Sequence, residues 1–249
     1  MTPYEQFKTE CDNEIALQNN PELWQKTHDW MFADNMKHYS YHFEWLGRPI
    51  IQYPQDIVQF QEIVWKTKPD LIIETGIAHG GSLVLSASML ALLDMLLPPP
   101  KDRMVLGIDI DIRKHNREAM ETHPLAKRIK MFEGSSIDDK IASEVREYAK
   151  DFQSIMVCLD SNHTHDHVLS ELELYAPLVS IGNYCIVWDT VVEDMPEDSF
   201  NDRPWGKGNN PKTAVYEFLK THTEFIIDKN IQNKLLVTTA SDGYLKRVM

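Results

Sequence analysis

The densest chemistry in this chain lies in one run, Met156-Val157-Cys158-Leu159-Asp160-Ser161-Asn162-His163-Thr164-His165-Asp166-His167. Asp160 closes an apolar stretch there, and Asp189 closes another, Ile186-Val187-Trp188-Asp189. If the two stretches are neighbouring parallel strands, spaced about 4.8 Å apart, their terminal carboxylates can share one hard cation, with an oxygen of Asn162 or Thr190 completing its shell. Such a cation polarises a hydroxyl group and favours its deprotonation. An imidazole beside it, His163 or His165, can then take the proton. Without a cation or donors, two carboxylates at buried strand ends would be costly, which argues against a purely structural pair. His167 falls inside the following helix and reads as capping it or hydrogen-bonding to its neighbours.

A second cluster is the turn after the first strand, Glu74-Thr75-Gly76-Ile77-Ala78-His79-Gly80-Gly81-Ser82. Glycines where a strand passes into a helix permit positive φ and close approach of a ligand to the backbone. The spacing G-x-x-x-G-G is neither the dinucleotide G-x-G-x-x-G nor a P-loop, which disfavours nucleoside triphosphate chemistry. Glu74 would repel a pyrophosphate, but it can accept a hydrogen bond from an ammonium group, as on a cofactor that carries an amino acid. Asp109 ends the next strand, where an acid typically accepts both ribose hydroxyls. Asp111 is equally suited to capping the helix that follows. At the third strand tip, Glu133-Gly134-Ser135-Ser136 offers hydroxyls where an adenine edge would lie.

These groups need a parallel sheet to bring them together. Apolar runs at 71–74, 104–109, 128–132, 155–160 and 184–189 read as strands, and patterns at 82–97, 113–122, 138–150, 166–175 and 211–220 as helices. Regular alternation predicts an α/β sheet covered by helices on both faces, with ligands beyond the carboxyl ends of its strands. Residues 190–210, rich in Asp, Glu, Asn, Pro and Gly, read as a long functional loop. The runs 225–228 and 235–239 read as last strands, with a turn at 241–243 before 244–248, and closing strands joined by a tight turn suggest an antiparallel edge. Residues 1–52 hold Trp24, Trp30, Tyr39, Tyr41, Phe43 and Trp45 in mainly helical patterns; they read as a cap over the site or as a subunit contact in a homo-oligomer. The domain proper is then 53–249.

Composition narrows the partners. A formal net charge of −13 opposes binding to a phosphate backbone, because that affinity comes largely from Lys and Arg. Three cysteines far apart in sequence argue for a reducing, cytoplasmic setting rather than a disulfide framework. The acidic first thirty residues do not read as a signal peptide, and the longest apolar stretch is too short to span a bilayer.

Taken together, these motifs resemble the cephalosporin hydroxylase family, which includes rhamnosyl O-methyltransferases. The resemblance rests on the 74–82 turn, Gly107-Ile108-Asp109-Ile110-Asp111-Ile112-Arg113, Leu159 to Val168, and Arg203-Pro204-Trp205-Gly206-Lys207-Gly208-Asn209-Asn210-Pro211. It implies a class I methyltransferase fold: a Rossmann-like, mostly parallel sheet of seven strands whose last strand is antiparallel. It implies S-adenosylmethionine as cofactor, held by Glu74, Gly76, Gly80, Gly81, Ser82, Asp109, Ser136 and Asp160. A magnesium-type cation would be held by Asp160, Asp189 and Thr190, with Glu193 in reserve, and the 203–210 loop would close over a small-molecule or sugar acceptor. Catalysis would fall to Asp160, His163 and His165.

Three other readings compete for these residues. A metal-dependent hydroxylase wants two histidines and a carboxylate presented facially, usually on a β-barrel. A zinc hydrolase would use His163, His165 and His167, which nearly spell H-x-H-x-D-H, but one residue is missing before Asp166 and the glycine turn would have no task. A non-catalytic binding protein on the same fold leaves the carboxylate pair unexplained.

Overall fold

In the computed structural model, which describes every residue except 34, 35, 37 and 100, the alternation of apolar runs and amphipathic helices becomes one seven-stranded sheet. Helices α1 (Pro3–Leu17) and α2 (Pro21–Met31) precede a short hairpin, β1 (Phe43–Trp45) and β2 (Arg48–Ile50), and helix α3 (Pro54–Thr67). The sheet elements then follow in order: β3 (Leu71–Thr75), α4 (Gly81–Leu96), β4 (Met104–Asp109), α5 (Lys114–Glu121), β5 (Ile129–Glu133), α6 (Asp139–Ala149), β6 (Ile155–Leu159), α7 (His165–Tyr175) and β7 (Tyr184–Val187). After the long loop come α8 (Pro211–Phe218), β8 (Phe225–Ile227), α9 (Lys229–Leu235) and β9 (Tyr244–Arg247).

The strand order is β5-β4-β3-β6-β7-β9-β8. All pairs from β5 to β7 are parallel, and β9 runs antiparallel to both β7 and β8. β3, β6 and β7 are buried along their whole length, as a sheet covered on both faces requires. One core cluster packs α3 and α4 on one face, around Phe60, Val84, Leu90 and Ile186. The other packs α6, α7 and α8 on the opposite face, around Val145, Leu172 and Val215. The doubly wound, mostly parallel sheet with an antiparallel last strand is the fold class read from sequence.

The C-terminal reading needs correction. Residues 235–239 are not a strand: α9 ends at Leu235, and Leu236 takes a left-handed φ of 60°. β9 is not at the edge either, since it is inserted between β7 and β8. Helix α3, absent from the sequence reading, buries Phe60, Ile63 and Val64. Among the described residues no helix is long and apolar enough to cross a membrane. Cys11, Cys158 and Cys185 are free thiols, the last two buried.

Candidate active site

The register of the central strands sets the site. Leu159 pairs with Thr75 on one side and with Val187 on the other, so Asp160 and Asp189 leave the sheet at neighbouring tips. One ligand atom from each of Asp160, His163 and Asp189 lies within 4.8 Å of the others. His163 Nε2 stands 3.4 Å from Asp189 Oδ2. Asp189 adopts a left-handed φ of 55°, a conformation that costs a non-glycine residue roughly 1–3 kcal/mol and persists where its surroundings over-determine it. Burial, then the charges of Asp189, Glu74 and Glu171, push the Asp160 carboxyl well above the usual carboxylate range. Neither Asp160 nor Asp189 pairs with a lysine or arginine among the described residues. An acidic recess of this kind fits a cation.

The other two histidines point elsewhere. His165 Nδ1 lies 2.8 Å from Thr213 Oγ1, and its backbone N–H donates to Asn209 Oδ1 at 2.9 Å. Its ring therefore fastens α7 to α8, and of the two histidines expected to act as base it is His163, not His165, that joins Asp160 and Asp189. His167 Nε2 lies 3.1 Å from the hydroxyls of both Ser136 and Ser161. This separation also undoes the zinc-hydrolase reading, which needs three imidazoles in one place. Thr190 is fully buried, and its hydroxyl donates to the Thr239 carbonyl at 3.4 Å, so it is turned away from the role of third ligand. Glu193 Oε2 accepts from Gly208 N at 2.8 Å and Asn210 Nδ2 at 2.5 Å, holding the loop rather than the recess.

The glycine turn is rigidly built. Asp109 Oδ2 accepts from Ile77 N at 2.8 Å and Ala78 N at 3.2 Å, and Oδ1 from Asp111 N at 3.1 Å. Asn116 Nδ2 donates to the Ala78 carbonyl at 2.8 Å, and Arg48 Nε to the His79 carbonyl at 2.8 Å. A Cβ on Gly76 (φ 89°) would stand 2.1 Å from the Asp160 carbonyl oxygen, so the turn lies directly against the acidic tip. Gly80 (φ 82°) lies on Met120, and a Cβ on Gly81 would stand 2.2 Å from the Pro49 carbonyl oxygen. Glu74 is buried one residue inside the rim and accepts a hydrogen bond from Ser82. Burial pushes its carboxyl up to about 7, with the Ser82 bond opposing. It lines a small pocket with Gln52, Asp56, Ser86, Cys158 and Trp188. Ser136 is buried at the β5 tip.

Over the recess, the Trp205 ring meets His163 edge-on with centroids 4.8 Å apart, and the Arg203 guanidinium lies 5.5 Å from the Trp205 ring centre. If the small-molecule acceptor expected from the sequence lies against this ring, Trp205→Ala raises its KM by about 10-fold, the scale of a lost aromatic contact, with cofactor affinity unchanged by calorimetry. A lowered cofactor affinity with unchanged KM would place Trp205 elsewhere. The sequence reading missed Asp56, which is fully buried; its signal was an acid one turn before Phe60 on the apolar side of a helical pattern.

Comparison with known proteins gives a consistent picture. A rhamnosyl O-methyltransferase of Mycobacterium bovis (strain BCG / Pasteur 1173P2) is 30% identical over 197 residues, covering 77% of this chain and 73% of that one. The protein of the same name from Mycobacterium leprae (strain TN) is 25% identical over 189 residues, covering 75% and 76%. A solved CmcI structure named for Mg and SAM superposes with a TM-score of 0.57 at 18% identity, over 84% of this chain and 78% of that chain. An apo CmcI structure gives 0.55 at 19%, over 84% and 77%; at such identities the two superpositions speak for the fold. The family described as Rhamnosyl O-methyltransferase/CmcI matches residues 37–248, and the chain belongs to it.

Proposed function

We propose that this chain is an O-methyltransferase that uses S-adenosylmethionine and a magnesium-type cation to methylate a hydroxyl of a sugar or another small natural product. The observation that carries the reading is the meeting of Asp160, Asp189 and His163 at two strand tips, against a glycine turn shaped for close approach. The relatives' name, rhamnosyl O-methyltransferase, supports a sugar hydroxyl as acceptor. The chemistry supplied from outside the chain would be Lewis-acid polarisation of that hydroxyl and an electrophilic methyl group on sulfur.

The chain's own residues do the rest. Asp160 and Asp189 hold the cation; magnesium usually binds through one or two carboxylates and keeps several waters, so no third protein ligand is required. Imidazole suits zinc better than magnesium, which leaves His163 free to take the acceptor's proton at Nε2. Trp205 orients the acceptor over that nitrogen and excludes water. Asp109 meets the ribose: each carboxylate oxygen accepts more than one hydrogen bond, so its bonds to the turn do not exclude this. Gly76, Gly80 and Gly81 would let the cofactor approach the backbone, Ser136 would meet its adenine, and Ser82, bonded to Glu74, would orient that carboxylate for the ammonium. Positioning and electrostatics are the main contributions to rate in such a transfer.

Calorimetry with S-adenosylmethionine, with and without magnesium, tests the reading when combined with transfer assays on rhamnosyl and other glycosides. Cofactor binding with no transfer to any hydroxylated acceptor would favour a binding module. No cofactor binding, with zinc in the purified protein, would favour a hydrolase.

Glu74 adds a pH dependence. Its carboxyl, raised to about 7 by burial, must be ionised to receive an ammonium group, so cofactor affinity is expected to fall as pH drops below 7, by up to about tenfold per unit. Glu74→Gln should flatten the dependence. Equal affinities at pH 6 and pH 8 in the wild type would remove the ammonium role.

Residues 1–52 belong to the same proposal as a cap or homo-oligomer contact. Tyr4, Phe7 and Leu17 stand exposed on α1, and light scattering reads the assembly.

A further inference from the structure

The left-handed backbone at Asp189 is braced from behind by a segment remote in sequence. Val191 N donates to the Thr239 carbonyl at 3.1 Å, and Thr190 Oγ1 reaches the same oxygen at 3.4 Å. On the other side of Asp189, Val187 N donates to the Gly243 carbonyl at 2.8 Å. A Cβ on Gly243 would stand 2.1 Å from the Val187 carbonyl oxygen, so this contact admits no side chain. Residues 239 and 243 thus grip the chain on both sides of the Asp189 carboxylate.

What fixes that segment is Asp56 on α3. Its Oδ1 accepts from Thr238 Oγ1 at 2.5 Å and Tyr244 Oη at 2.9 Å. Its Oδ2 accepts from Thr239 N at 2.9 Å and Thr239 Oγ1 at 3.4 Å. The carboxyl is fully buried. A buried acid is costly unless its hydrogen bonds are filled, and here every donor comes from the 238–244 stretch that backs the tip of β7. A satisfied buried network of this kind specifies one backbone arrangement.

We propose that Asp56 is a positioning residue for Asp189, acting through the Thr239 main chain, so that α3 sets where the second cation-binding carboxylate stands. The inference rests on the assignment of Asp160 and Asp189 as cation ligands. Thr190, at the strand tip beside Asp189, is the link between the brace and the ligand rather than a ligand itself.

Manganese(II) is the probe, with bound and free ion distinguished by electron paramagnetic resonance on the full chain without cofactor. Thr190→Val removes one link while leaving Asp56 intact, and Asp56→Asn places an amide N–H₂ among the donors that the carboxylate received. Each variant is expected to weaken manganese binding by about 10-fold, the scale seen when a group orienting a metal ligand is lost. Thr190→Ser, which keeps the hydroxyl, should recover it. S-adenosylmethionine affinity of Thr190→Val in chelator, by calorimetry, should stay within about twofold of wild type, since that variant leaves the glycine turn untouched. If Asp56→Asn does not fold, the Thr190 pair carries the test alone. Manganese binding in Thr190→Val as tight as in wild type would overturn the inference and leave the cation reading standing. A parallel loss of cofactor and manganese affinity, not recovered by Thr190→Ser, would show general damage and overturn it as well. A wild type that binds no manganese would overturn both the inference and the cation assignment.

Discussion

Replacing Asp160 with asparagine should lower methyl transfer by on the order of 10²–10³-fold, the usual scale for losing a preorganised charge-stabilising group, while raising the melting temperature of the metal-free chain above pH 7. The two halves have one cause. Burial and the neighbouring acids hold the Asp160 carboxyl above its ordinary range. A group whose folded-state pKa exceeds its unfolded value supports the fold fully only below the unfolded pKa, near pH 4, and that support is lost as pH rises through the folded pKa. Asparagine carries no charge at any pH, so the variant keeps what the wild type loses. Glu74, raised to about 7, and Asp56, raised to about 6, act in the same sense in both proteins. Both should therefore melt lower at pH 8 than at pH 5 in chelator, the wild type by more, and magnesium should restore the wild type selectively. Calorimetric melts and a transfer assay on the same samples check this. Full activity in the variant, or a variant that melts below the wild type at pH 8 in chelator, would break the link between the acidic recess and catalysis.

Gly76→Ala should be the most damaging single-methyl change. The residue combines a left-handed φ of 89° with a Cβ position 2.1 Å from the Asp160 carbonyl oxygen, and backbone cannot move aside as a side-chain tip can. Strain and overpacking together put the cost at about 2–6 kcal/mol, or a melting-temperature loss of roughly 10 °C in a chain of this size. Gly182→Ala is the matched control: its φ is 85°, but nothing lies within 4 Å of the added carbon, so only the conformational part, about 1–2 kcal/mol, remains. The difference between the two variants measures how tightly the glycine turn seats on the β6 tip. Equal losses would mean that the turn has room to spare.

The parallel half of the fold was legible because its signal is local. Strands that are buried on both faces read as unbroken apolar runs, and β3, β4 and β6 begin at the residues expected from those runs. The C-terminal region defeated the same logic. Leu235 to Thr239 is rich in β-branched residues, but Thr238 and Thr239 give their hydroxyl and amide hydrogens to Asp56 instead of to a ladder, and tertiary partners override strand propensity. Helix α3 was missed because Gln55, Asp56 and Gln59 dilute its apolar period; two of these, Asp56 and Gln59, are buried. In the site, residue types and strand tips were enough to expect Asp160, Asp189 and His163 near one another, and the structure brings the three together. Spacing could not separate the histidines: His163 precedes the helix cap Thr164 and His165 begins the helix, so neighbours two apart belong to different elements. Nor could sequence show that Thr190 turns inward, since the bond deciding it goes to a carbonyl 49 residues away.

The insertion of β9 between β7 and β8 bears on how the protein is made. A nascent chain on the ribosome can assemble β3 to β7 as they emerge, but the flank of β7 that β9 will cover stays open until much later residues arrive. Until then Tyr184, Cys185 and Ile186 present an unpaired edge, the kind of surface that recruits foreign strands. Slow translation through the stretch between β7 and β9 would prolong that exposure, so demand for chaperones should be greatest while that stretch is being made.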